Sequence, residues 1–306
     1  MAVSSGNTIQ AADYNALQSR ISTILGTGSG TDGYGQSLAS SQISVGNDVT
    51  AAQMDNIRTD INKAHAHQTG SNTTLGDIAV GDIIGADASG LDIDNLTEND
   101  KGFNDFLDAM TVVETNRFVI DATQASVEAA ITSTRTTAWN GVITHEFTVS
   151  FADANSRRHF FNAGGEIRFS ANLSSGSGAK DTDWATMLSN MGTIKFNYLE
   201  TTATGTGTPE AIGNYDLTST YQKIFQKDGS GVYAENDYNI SAKEDSTSVI
   251  RFKVEFRDDD AGDQTGSGPP VDENVGGNLT STIQQFRPTG SNVSVASPSY
   301  ANTITL

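Results

Sequence analysis

No cysteine occurs among the 306 residues. That excludes thiol nucleophiles, disulfides and thiolate metal sites, and it leaves the redox compartment open. Positive charge is scarce: 18 Lys and Arg stand against 37 Asp and Glu, for a formal net charge of -19. Such a surface repels a phosphate backbone and gains nothing from anionic lipid, which argues against nucleic-acid partners and membrane insertion. No apolar run approaches the ~20 residues of a membrane span. The opening MAVSSGNTIQ has neither the basic nor the apolar region of a secretory signal. The expectation is a soluble chain made in the cytoplasm. Hydrophobic residues are also few, at 36%, while 30 glycines with abundant Ser, Thr and Asn point to long turns between short elements. The length suggests about two domains.

What the sequence does contain is a repeat. GNTIQAADYNALQSRI at residues 6–21 returns as GNDVTAAQMDNIRTDI at 46–61. Ile9 matches Val49, Tyr14 matches Met54, Leu17 matches Ile57 and Ile21 matches Ile61. Thr50 and Gln53 have the spacing of a capping box. Ile9 with Tyr14, and Val49 with Met54, have the spacing of a hydrophobic staple, and Asp13 places a carboxylate where a helix N-terminus favours it. Each copy is therefore an expected short helix with one apolar stripe. Helices this short are marginal alone in water and must pack on something. Two arrangements remain open: a local hairpin core, or docking faces for neighbouring subunits. The second makes Ile9, Tyr14, Leu17, Ile21, Val49, Met54, Ile57 and Ile61 the docking or packing residues.

Residues 68–100 are polar and Gly-rich and look like a linker. Helical spacing returns at Phe103, Phe106, Leu107 and Met110, and a weaker helix is expected at about 122–137, ahead of a turn at Trp139-Asn140-Gly141. From 141 the period changes to two. Ile143, Phe147, Val149 and Phe151 alternate with polar residues, as do Ile167, Phe169, Ala171 and Leu173, and Ile250, Phe252, Val254 and Phe256. Such alternation marks antiparallel strands with one buried face. One helix, at TDWATMLSNM, interrupts them. The expected fold is α+β: a helical module with a duplicated helix over 1–67, the linker over 68–100, a helical connector over 101–140, and a sandwich-like antiparallel β-domain with one inserted helix over 141–306, able to fold by itself.

Residues with chemical potential are few. His65-Ala66-His67 would put two imidazoles on one side of an extended segment, and a homotrimer would then offer six nitrogens to a transition metal. The plainer reading is a polar helix end, so no metal is expected. Asp87–Asp94 and Asp258–Asp263 resemble oxygen-rich calcium loops but lack the EF-hand order of ligands, and read as acidic solvated turns. Gly28-x-Gly30-x-x-Gly33 is formally a dinucleotide fingerprint, yet a helix precedes it where the motif needs a strand. There is no Gly-x-Ser-x-Gly elbow and no His-Glu-x-x-His helix. Paired carboxylates for glycoside hydrolysis depend on a separation of ~5–9 Å that the fold alone sets. Neither an enzyme nor a cofactor is expected.

Four stretches carry a resemblance: ADYNALQSRISTILGTGSGTDGYGQ, RRHFFNAGGEIRFSANLSSGSGAKDTDWATMLSNMGTIKF, DLTSTYQKIFQ, and FRDDDAGDQTGSGPPVDENVGGNLTSTIQQFRPTGSNVSVASP. Together they resemble virion structural proteins of tailed phages, notably contractile-tailed phages of marine cyanobacteria. The resemblance implies a component of the tail, neck or baseplate, located in the virion, with copies of itself (a trimer or hexamer) and other virion proteins as partners. It supplies no catalytic residues. The competing readings are a receptor- or glycan-binding fibre protein, with Tyr233, Tyr238 and Tyr300 stacking on host sugars, and a polysaccharide depolymerase, against which the lack of a long β-helix repeat counts.

Overall fold

A computed structural model describes residues 9–82, 84, 102–262 and 271–306. The chain forms two compact units that interleave in sequence. Met1–Ser126, Arg158–Gly164 and Arg287–Ala296 make one, and Val127–Arg157, Gly165–Phe286 and Ser297–Leu306 the other.

The first unit is built on three helices that pack against one another: α1 (Ala11–Leu25), α2 (Ala51–Thr69) and α3 (Phe103–Thr115). At the start of α2 the capping box forms as expected: Thr50 Oγ1 accepts from Gln53 N at 3.3 Å, and Gln53 Oε1 accepts from Thr50 N at 2.8 Å. At the start of α1, Asp13 Oδ2 accepts from Gln10 N at 3.1 Å, the carboxylate half of such a box. Gly70 ends α2 with φ 81°, a left-handed conformation that a side chain would strain. The connection after α2 is anchored at its start. Asn62 Oδ1 accepts from Thr73 N and Oγ1 at 2.9 and 2.6 Å, and Leu75 and Ile78 are buried. The rest of the expected linker, beyond residue 84, lies outside the described residues.

The expected helix at about 122–137 is not one. A single 3-10 turn at Ala122–Gln124 leads into β1 (Ala125–Arg135). The physical reason is tertiary: β1 pairs along β10 (Asn278–Pro288), and that pairing overrides the helix propensity of its alanines and glutamate. Since β1 completes a sheet, the β-unit starts ahead of residue 141, and a fragment cut there loses an outer strand.

The second unit holds two antiparallel sheets. One contains β1, β10, β3 (Glu166–Ser174), β4 (Ile194–Phe196) and β5 (Thr201–Ala203), in that order. The other runs β11 (Ser299–Ile304), β2 (Gly141–Ser150), β9 (Val249–Asp258), β8 (Asp237–Ser246), β7 (Gln222–Asp228), β6 (Thr208–Pro209). The alternation expected in β2, β3 and β9 sets their faces: Phe147, Val149, Ile167, Phe169, Ile250, Phe252, Val254 and Phe256 are all buried. Phe147 and Phe252 stand opposite each other in register and stack at 5.5 Å, and Phe169 of the facing sheet meets both, at 6.1 and 5.1 Å. An aromatic cluster of this size supplies much of a sandwich core. The inserted helix is α5 (Ala179–Met191). A shorter helix, α4 (Ala154–Asn162), also follows β2, and the chain passes from one unit to the other within it.

Candidate functional site

The repeat positions come together as a core. Tyr14, Leu17, Ile21, Met54, Ile57 and Ile61 are each 0% exposed within the single chain, while Ile9 and Val49 are half-buried. Of the two arrangements left open, this burial is that of a local packing core. A side chain already enclosed by its own unit offers no face to a neighbour unless the unit opens. Positions where the copies differ do separate work. Asp60 is buried and its carboxylate accepts from Ala39 N, Ser40 N and Ser40 Oγ at 2.8, 2.9 and 2.6 Å, holding the loop between the helices. Its counterpart Arg20 forms a two-pronged pair with Glu114 of α3 at 2.8 and 2.9 Å.

His65 and His67 both lie on α2, which continues to Thr69. Two residues apart on a helix point about 200° apart, so the shared side expected of an extended segment does not exist. His65 is at the surface, with Nδ1 2.7 Å from Ser71 O. His67 is 0% exposed, edge-on to the Tyr34 ring at 5.1 Å, with Nε2 3.0 Å from Ala163 O. Burial pulls its pKa down to about 4, against a small upward effect of the Ala163 carbonyl. The Gly28–Gly33 run is a tight turn after α1. Gly33 has φ 100°, and a Cβ there would lie 2.3 Å from Thr27 O. Its glycines serve backbone closure, not phosphate approach.

In the same unit a cleft of about 470 Å³ lies beside α1 and α3. Arg20 there is matched by Glu114 and Arg117 by Asp32, at 3.0 Å. Each cation already has its acid, so the cleft offers a ligand little net charge.

The β-unit contains a cluster that the sequence reading missed. Lys180, the second residue of α5, is buried, and its Nζ lies 3.0 Å from Asp258 Oδ1, 3.2 Å from Asp260 Oδ2 and 3.2 Å from Asp272 Oδ1. Two carboxylates of the run Asp258–Asp263 are therefore enclosed, not solvated; Asp263 lies outside the described residues. Burial opposes the Lys180 ammonium, but the hydrogen bonds and charges of the aspartates outweigh it and hold the group above the ordinary lysine range. Burial pushes Asp258 upward too, and Lys180 offsets this in part. Asp258 Oδ2 is buried without a hydrogen-bond partner. Trp184, one turn beyond Lys180, packs against Trp139 at 5.8 Å and Phe256 at 6.3 Å. A signal was present in the sequence: a lysine in a first helical turn, where the dipole disfavours a cation.

Two further constellations hold the sheets. His145, 0% exposed, has Nδ1 3.0 Å from Ser281 Oγ on the facing sheet and Nε2 2.9 Å from Asn302 Oδ1. The order Ser–His–Asn mimics a nucleophile and its base. Ser281 is 1% exposed, so the chain of bonds is closed to a substrate and works as a polar tie between sheets. On the outer side of the six-stranded sheet, Glu146 accepts from Tyr221 Oη, Arg251 Nη1 and Thr303 Oγ1 at 2.8, 3.0 and 2.9 Å. Partial burial works against the Glu146 carboxylate, but these donors outweigh it and hold its pKa below the usual range. Lys243 and Lys253 both sit 5.2 Å from the Tyr221 ring centre. Of the tyrosines expected to stack on sugars, Tyr238 is fully buried and drops out.

Among the described residues, no three His, Cys, Asp or Glu side chains group in a way that would hold a metal ion. No helix there is long and apolar enough to cross a membrane. Comparison with protein-family models, curated proteins and solved structures finds no match.

Proposed function

We propose that this chain is a structural component of a phage virion, in the tail, neck or baseplate, that self-associates through its β-unit. The resemblance of its four stretches to virion structural proteins supports the setting. The observation that carries self-association is an asymmetry between sheet edges. At one end the edges are blunted: β5 has three residues, and β6 has two and ends in Pro209. At the other end lie β1, with 11 residues and only Glu128 and Arg135 charged, and β11, with six and no charge. These two edges neighbour each other, since Leu306 N donates to Ser133 Oγ at 2.8 Å. Val127 and Ile304 stand about half exposed there, at 50% and 46%.

Native sheets guard long edges with lysine, proline, bulges or brevity, because a free edge templates pairing with another strand. A bulge at Asn302–Ile304 guards part of β11, which makes β1 the stronger template. The occupant is a strand from a second copy, the partner that a repeating particle supplies in matching number. This relocates the expected interface from the N-terminal helices to the β-unit.

The test is a pair of edge lysines, Ala129→Lys with Ala301→Lys, read by light scattering after size exclusion. Both alanines are exposed, so melting should change by no more than about 0.5 kcal/mol. The wild type should be a closed oligomer and the variant a monomer. A wild type that stays monomeric at high concentration, or a variant of unchanged size, overturns the proposal. Retention of host-surface glycan by the monomeric variant would favour the glycan-binding fibre alternative.

A further inference from the structure

We infer that Lys180 and Asp258 form an intramolecular isopeptide bond, a covalent strap between α5 and β9 that spans 78 residues of sequence. The reacting pair is enclosed, with side-chain exposures of 1% and 0%, and in contact at 3.0 Å. Three features separate this arrangement from an ordinary ion pair. First, a buried ion pair is a weak stabiliser unless the lone pairs and protons left over are also satisfied. Here the second oxygen of Asp258 is buried with nothing to bond. Second, the lysine belongs to the first turn of α5, where the helix dipole disfavours a cation. Third, a second carboxylate is in place to move a proton: Asp260 Oδ2 is 3.2 Å from Nζ and its side chain is 8% exposed. The surroundings are aromatic, with Trp184 against Phe256 one turn along α5 from the lysine and two residues along β9 from the aspartate.

The chemistry balances within the cluster. Asp258 reacts as the carboxylic acid, since a carboxylate resists attack. Asp260 takes one proton from the Lys180 ammonium. The freed lone pair attacks Asp258 Cγ and forms the C–N bond. From the tetrahedral intermediate the C–Oδ2 bond breaks, and the hydroxyl leaves as water with a second proton from nitrogen. The products are a secondary amide, one water and a protonated Asp260, which returns its proton to solvent. No oxidant, reductant or cofactor takes part. Asp272 Oδ1, 3.2 Å from Nζ, orients the ammonium from the more exposed side. For a chain with no cysteine, an amide is a covalent staple that needs no oxidising compartment.

The test is the intact mass of the full-length protein, followed by protease digestion and fragmentation of the peptides. The expected result is a mass one water below that of the sequence, with the Lys180 and Asp258 peptides recovered as one branched species. Lys180→Arg and Asp260→Asn should each restore the full mass, the first by removing the nucleophile and the second by removing the base. A folded wild-type protein at its full sequence mass overturns the inference, whatever the variants do. A water loss that maps elsewhere, for example to a succinimide at Asp228-Gly229, overturns it equally.

Discussion

His67 gives the sharpest link between burial and a measurable quantity. Its imidazole is enclosed, its Nε2 meets the Ala163 carbonyl, and its Nδ1 is buried with no partner. Protonation would place an N–H with no acceptor in that space, and burial therefore lowers the pKa from 6.5 to about 4. In the unfolded chain the ring titrates near 6.5. Between those values the unfolded state binds the proton and the folded state does not. Stability from the neutral ring is thus fully present above about 6.5 and is lost as pH falls toward 4. A fall of that size corresponds to about 3 kcal/mol. The perturbation is His67→Gln, whose amide can still donate toward Ala163 but does not titrate. The assay is urea unfolding at several pH values from neutral to 4, followed by circular dichroism and by amide exchange of α2. All carboxylates titrate in both proteins, so the difference between them isolates His67. We expect the wild type to lose about 3 kcal/mol more than the variant on acidification. Parallel curves would refute the reasoning, because they would mean that His67 carries a proton in the folded state or is not enclosed.

Two further outcomes follow from the packing. Leu17→Ala with Ile57→Ala removes two fully buried side chains from the repeat core, and should cost about 2–5 kcal/mol for each in a packed site. Melting of the helical unit would register this, while the size of the oligomer should survive as long as the β-unit stays folded; loss of assembly with no loss of stability would restore the helices as docking faces. Ser281→Ala leaves His145 Nδ1 unpaired between the sheets and should cost about 1–3 kcal/mol, read by thermal melting. A neutral result would mean that water replaces the hydroxyl.

Local order along this chain was legible wherever neighbours in sequence decide it. Thr50 and Gln53 cap α2 because both groups lie within one turn, and the period of two in β2, β3 and β9 assigns each side chain to a face without knowing the partner strand. The repeat was legible as two apolar stripes, but not what covers them: Leu17 and Ile57 look the same whether a neighbouring helix or another molecule packs on them. Propensity failed at Ala125–Arg135, since an edge strand half-exposed on both faces has little alternation, and only its pairing with β10 separates strand from helix. His145 occupies an apolar-face position of β2, and nothing local says that Ser281 will meet it from the other sheet. Lys180, Asp258, Asp260 and Asp272 lie in three separate segments. Their charges say only that each would rather be in water. Closing α5 against the end of β9 removes the water and leaves them one another, so the chemistry of that cluster belongs to the tertiary structure.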